Sequence, residues 1–155
     1  MTTFSAHTTA EAIVPVPRDR VWDVLIDPDL IAQLTPFVKS IKADGEHWIW
    51  TLSGFNVLGK GFSATFTERM TLEDGKRIEF AHDPPRGIKE PTSVNGWYNL
   101  ADVEEGVRLE TSMEIQVDMP LPKLAGGAVR TTMKGVLATM GDRFSKNLLT
   151  HLGVD

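Results

Sequence analysis

The chain has 155 residues, a formal net charge of -5 at pH 7 and no cysteine. That length suits one domain, burying roughly 70% of the surface its unfolded form exposes. The lack of thiols excludes disulfides, zinc-thiolate sites, iron-sulfur clusters and cysteine nucleophiles, and an acidic balance with scattered Lys and Arg argues against a nucleic-acid surface.

No run approaches the roughly 18 apolar residues of a membrane span. Residues 1–11 lack the basic start and apolar centre of a secretion signal. The expectation is a single cytoplasmic domain over 1–155 with no transmembrane segment.

Residues 4–14 read as a first strand, stopped by Pro15 and Pro17. Pro17 suits a helix start, where its missing N–H is not needed. Val21, Trp22, Val24 and Leu25 then form an apolar face, with Arg18, Asp19, Arg20 and Asp23 opposite. The helix ends by Asp27-Pro28, because the residue before proline avoids the helical region. Asp27 caps a second short helix with Pro28 in its first turn and Leu30, Ile31 and Leu34 on its apolar face. Pro36 closes it.

Beyond Pro36 the apolar residues alternate. Strands are predicted over 37–43, 47–52, 62–72, 77–82, 93–103 and 107–117, joined by turns at 44–45, 73–75 and 104–106, each with a glycine. From about Leu121 helical spacing returns. Ala125, Val129, Met133, Val136, Leu137, Met140, Phe144, Leu148 and Leu152 form one stripe, and only a seven-stranded antiparallel sheet is large enough to cover it. Gly135 and Gly141 within this helix point to a bend, or to room left for a ligand or strand. The class is therefore α+β: strand, two short helices, six strands, long helix.

That order, together with Val14-Pro-Val-Pro, Val21-Trp22, Leu25 and Asp27-Pro28, resembles the START/SRPBCC helix-grip superfamily of polyketide cyclases and lipid carriers. Gly61-Phe62 in a long central strand, Asn95-Gly96 opening the sixth strand, and Leu124-Ala125-Gly126-Gly127 before the long helix are similar to the branch of the carbon monoxide dehydrogenase G subunit. The resemblance implies a helix-grip fold, a sheet wrapped around the long helix with a cavity for a small hydrophobic molecule such as a lipid, quinone or aromatic polyketide. It implies no single chemistry. The G-subunit likeness implies an accessory contact with a larger oxidoreductase. No cofactor and no metal are expected, since His7, His47, His82 and His151 show no ligand spacing.

Alternation assigns the strand faces. Val107, Leu109, Thr111, Met113, Ile115 and Val117 face inward; with Leu100 paired near Leu109, so do Tyr98 and Gly96, while Trp97 and Asn99 face outward. Trp48, Trp50 and Leu52 share one face, as do Phe62, Ala64, Phe66, Glu68 and Met70, and then Ile78, Phe80 and His82. Such stripes describe a filled core as well as a cavity wall. With a cavity, the ligand-facing set is Trp48, Trp50, Phe66, Glu68, Phe80, His82, Tyr98, Thr111, Met113, Met133 and Met140.

Glu68 and His82 are the polar intruders. With Met70 opposite Ile78 and Phe66 opposite His82, they are diagonal neighbours. They then satisfy one another as a half-wet strand-end pair, or serve with Tyr98 as the acid/base groups of an aromatic polyketide cyclase or dehydratase. Gly59-Lys60-Gly61 leads into a strand, so its dinucleotide-like spacing meets no helix N-terminus. The stretches 54–59 and 83–91 are candidate gates. An outward Trp97 marks a homodimer contact or an assembly surface.

Overall fold

The computed structural model describes residues 1–57 and 59–154, without the side chains of residues 55, 57, 60 and 62. The elements are β1 (Thr2–Val14), α1 (Arg18–Leu25), α2 (Pro28–Leu34), β2 (Val38–Asp44), β3 (His47–Val57), β4 (Lys60–Glu73), β5 (Arg77–His82), β6 (Thr92–Val103), β7 (Gly106–Met119), a short 3-10 turn (Lys123–Ala125) and α3 (Gly126–Leu152). Seven antiparallel strands lie in the order β1-β7-β6-β5-β4-β3-β2. Because β1 and β2 form opposite edges, α1 and α2 carry the chain across the whole width of the sheet. This is the helix-grip architecture that the element order predicts.

The local signals act as expected at both short helices. Pro17 is extended (φ -58°, ψ 148°) immediately before α1, whose Val21, Trp22, Val24 and Leu25 are buried. The Asp27 carboxylate accepts the Leu30 N–H at 3.1 Å, capping α2.

Several boundaries differ from the sequence reading, each for a local reason. Phe37 has a left-handed backbone (φ 69°), so β2 begins at Val38. The expected loop over 54–59 is instead the end of a long hairpin. β3 and β4 run through it, with a register shift between Leu52 and Phe55 where Gly54 takes φ +88°. Leu58 of that stretch and the expected inward side chain of Phe62 lie outside the described residues. The loop between β4 and β5 is formed by residues 74–76, so Leu72 pairs with Ile78 and Glu68 with His82 directly, two positions from the expected register. The long helix starts at Gly126 because Pro122 is extended (φ -70°, ψ 155°) ahead of the 3-10 turn. It stops at Gly153, whose φ of 75° suits a left-handed cap.

Two packed clusters hold α3 to the sheet. Val129 and Met133 pack with Phe4, Ala6, Val117 and Met119, whereas Leu148 and Leu152 join the larger core with Val107, Leu109 and Leu100. Between them Val136, Leu137, Met140 and Phe144 are only half-buried. The helix is pinned at its ends over an unfilled middle. No helix among the described residues is long and apolar enough to cross a membrane.

Gly135 and Gly141 do not make that room. Both are exposed, and a Cβ at either would meet nothing within 4 Å. Gly135→Ala and Gly141→Ala are each expected to raise stability by about 0.5–1 kcal/mol, since alanine restricts the unfolded chain and favours the helix. Urea midpoints measure this, and a lowered midpoint refutes it.

Candidate ligand cavity

Each strand of a sheet sends alternate side chains to one face, and here the inward set stops short of α3. The cavity left is about 110 Å³, counted over positions that a water centre can occupy. One water needs roughly 10–15 Å³ on that measure. Its wall is drawn from five strands and three helices. Trp48, Trp50, Phe66, Glu68, Phe80, Tyr98, Met113, Met133 and Met140 all lie on it. So do Leu52, Ala64, Met70, Thr92, Val94, Ile115, Val117 and Met119 from the strands, and Leu25, Ile31, Thr132, Val136 and Leu137 from the helices.

The aromatic part of the wall is ordered by register. Trp50 and Phe66 are cross-strand partners, and their rings stack at 5.7 Å with 14° between planes. Phe80 tilts at 53° against Tyr98, 5.1 Å away. Phe80 can lie flat on the sheet because its cross-strand partner is Gly96.

Glu68 is the most unusual group on the wall. It is 2% exposed, and removal from water raises its carboxyl from 4.5 to about 8, with the Trp50 indole N–H pulling the other way. That indole nitrogen is buried and makes no hydrogen bond of ordinary geometry, so burial wins. Tyr98 is near enough to feel Glu68: burial first, and then that carboxylate's charge, push the phenol's pKa up. Both groups are therefore protonated or largely so at pH 7.

His82 and Thr111 depart from the expected set. His82 stands opposite Glu68 in register, but β5 ends there, and its ring turns to Glu90, Nε2 to Oε1 at 2.9 Å. The Glu90 carboxylate also accepts the Thr67 N–H and hydroxyl, each at 2.8 Å. The expected Glu68–His82 pair is thus replaced by an anchor for the C-terminal end of the 83–91 segment. At its other end Asp83 meets His47 at 2.8 Å and Arg69 at 3.0 Å, which hold its carboxyl below the usual range, His47 most of all. Thr111 shares the inward face, opposite Tyr98, but the cavity follows β7 from Met113 to Met119. The Leu109 end is filled by the core that includes Leu148 and Leu152.

Glu90→Ala strips a buried N–H and a buried hydroxyl of their acceptor, so a loss of about 2–3 kcal/mol in unfolding free energy is expected. Denaturant titration measures it. An unchanged midpoint would show that the anchor contributes nothing.

Trp97 faces outward as expected, but not as part of an apolar patch. The Arg77 guanidinium covers its ring at 5.0 Å, and the surrounding hollow includes His7, Arg69, Thr71, Glu79, Asn95, Ser112 and Glu114. Sequence reasoning missed Thr92, Val94, Met119 and Thr132, the helix residues Leu25, Ile31, Val136 and Leu137 as wall, and the Glu90 anchor. The alternation signal could have found Thr92; the anchor depends on how an irregular segment folds back.

A seven-stranded antiparallel sheet and one long helix around an apolar cavity define an α+β domain of the helix-grip class. Residues 5–149 match the family of polyketide cyclase / dehydrase and lipid transport proteins, and the chain belongs to that family. Its fold is shared with a conserved protein from Geobacillus kaustophilus (16% identity, 97% of this chain and 95% of that one, TM-score 0.68). It is likewise shared with TTHA0849 from Thermus thermophilus (18% identity, 95% and 94%, TM-score 0.67). The Zhui aromatase/cyclase from Streptomyces sp. R1128 is also similar (15% identity, 97% and 93%, TM-score 0.62). No curated protein sequence matches the chain.

Proposed function

We propose that this chain takes up a small, largely apolar molecule between the sheet and α3, with the molecule's polar end against Glu68 and Tyr98. The observation that carries this reading is the wall itself. Aromatic and methionine side chains converge on one apolar space, and such surfaces adapt to flat or greasy ligands. Family membership supports the same reading. Native mass spectrometry and thermal-shift series with lipids, quinones and aromatic ketones test it, with a bound species and a raised Tm expected. Ala64→Phe, which places a ring in the cavity, is expected to weaken uptake about tenfold or more while the fold is kept. Unchanged binding by that variant sinks the assignment to this cavity.

A second reading is proton transfer on the bound molecule, of the cyclase or dehydratase kind. It is favoured by the approach of Glu68 to Tyr98 on one wall. It rests on those two groups alone, since His82 belongs to the Glu90 anchor. Turnover of an aromatic polyketide that is lost in Glu68→Gln while binding persists is its signature. The likeness to the carbon monoxide dehydrogenase G subunit adds a finer proposal, delivery of the molecule to an oxidoreductase. Oxidoreductase subunits encoded beside the gene, and a complex formed with them on co-expression, test that proposal.

A further inference from the structure

The cavity wall has a lopsided polar inventory. Among the described residues it carries one carboxyl group, Glu68, one phenol, Tyr98, the indoles of Trp48 and Trp50 and the hydroxyls of Thr92 and Thr132, but no Lys, Arg or His. The elements packed over Glu68 add no charge: α3 presents Thr132, Met133, Val136, Leu137 and Met140, while α1 and α2 present Leu25 and Ile31. His82, the cross-strand partner of Glu68, is committed to Glu90.

An anion entering this space loses its hydration and finds no cation in return. The uncompensated burial of a carboxylate costs several kcal/mol, and Glu68 adds repulsion whenever it ionises. A neutral oxygen fares differently. The Glu68 O–H and the Tyr98 O–H both donate to a carbonyl, and the aromatic wall covers the rest of the molecule.

Resting on the binding function proposed above, we infer that the cavity selects neutral, oxygen-bearing ligands, such as ketones, quinones and phenols, and excludes carboxylates of the same size, fatty acids included. Selection follows from the missing cation rather than from shape. Glu68 is the hydrogen-bond donor that recognises the ligand oxygen, because it is the one carboxyl group on the wall and is 2% exposed, with no cation beside it to hold its charge.

The test uses matched probes on the full chain, followed by quenching of tryptophan fluorescence, since Trp48 and Trp50 line the cavity. 2-Acetylnaphthalene and 2-naphthol are expected to bind at pH 7, with 2-naphthoate at least about 100-fold weaker. A carboxyl of ordinary pKa is neutral in fewer than roughly 1 molecule in 100 at that pH. Between pH 7 and pH 5 the naphthoate should tighten by about tenfold per unit as its neutral form grows, while the ketone changes little. Glu68→Leu is expected to weaken 2-acetylnaphthalene about tenfold and to leave naphthalene unchanged. Naphthoate binding within threefold of the ketone at pH 7 overturns the selectivity and leaves the binding function standing. Equal losses for ketone and hydrocarbon in Glu68→Leu overturn the role of Glu68. If neither these probes nor the neutral dye Nile red binds, the binding function falls, and the selectivity with it.

Discussion

Glu68→Gln is expected to make the protein more stable at pH 8 and to leave its stability almost unchanged at pH 4.5. The carboxyl is raised from 4.5 to about 8 in the folded chain. Between those values the unfolded chain has released the proton and the folded chain still holds it, so stability falls by about 1.4 kcal/mol for each unit of rising pH. Below pH 4.5 both states are protonated and the penalty vanishes; above 8 both are ionised and it stops growing. The accumulated cost is roughly 3 kcal/mol at pH 7 and roughly 5 kcal/mol at pH 8 and above. Glutamine keeps the shape and a neutral donor but has no proton to lose. Urea unfolding of both proteins at pH 4.5, 6, 7 and 8 should give two lines that meet at the acid end and diverge upward. Parallel lines would falsify the buried, cavity-facing carboxyl on which the functional readings depend.

That group is visible in the sequence as a carboxylate on the inward face of β4, but its surroundings are not. Period-2 alternation places a side chain on a face regardless of register, so Trp48, Trp50, Phe66, Glu68, Phe80, Tyr98 and Met113 are all legible as belonging to the side where the cavity lies. Pairing across β4 and β5 depends on which residues make the turn. A loop over 74–76 instead of 73–75 turns a diagonal Glu68–His82 contact into a direct one. Even direct pairing does not bring the two together, because the strand ends at His82 and Glu90 takes its ring. Glu90 sits in a proline-flanked segment without periodicity, where sequence holds no geometric signal. The helix stripe is legible from Val129 to Leu152. What it does not show is that only its ends are tightly packed, since the spacing of apolar residues does not reveal how far away the opposing wall stands.

Gly96→Ala should be among the most damaging single-methyl substitutions in this chain. A Cβ there would stand 2.1 Å from the Ser112 backbone carbonyl oxygen and 2.8 Å from two carbons of the Phe80 ring. The ring is movable. The carbonyl belongs to β7, which is hydrogen-bonded to β1 on its other side, so relief requires the paired strands to shift. Overpacking of this kind costs about 3 kcal/mol or more, which corresponds to a fall in Tm of roughly 10 °C for a domain of this size. The order of the two clashes gives a sharper test. Adding Phe80→Leu to Gly96→Ala removes the ring contacts but leaves the carbonyl in place, so the double variant should recover little of the loss. Full recovery would mean that the ring was the obstacle and that the strand yields easily. Because Phe80 rests on Gly96 and against Tyr98, the single variant should also loosen the wall beside Glu68. Ligand affinity should therefore drop in the fraction that still folds, through a residue that itself contributes no side chain to the site.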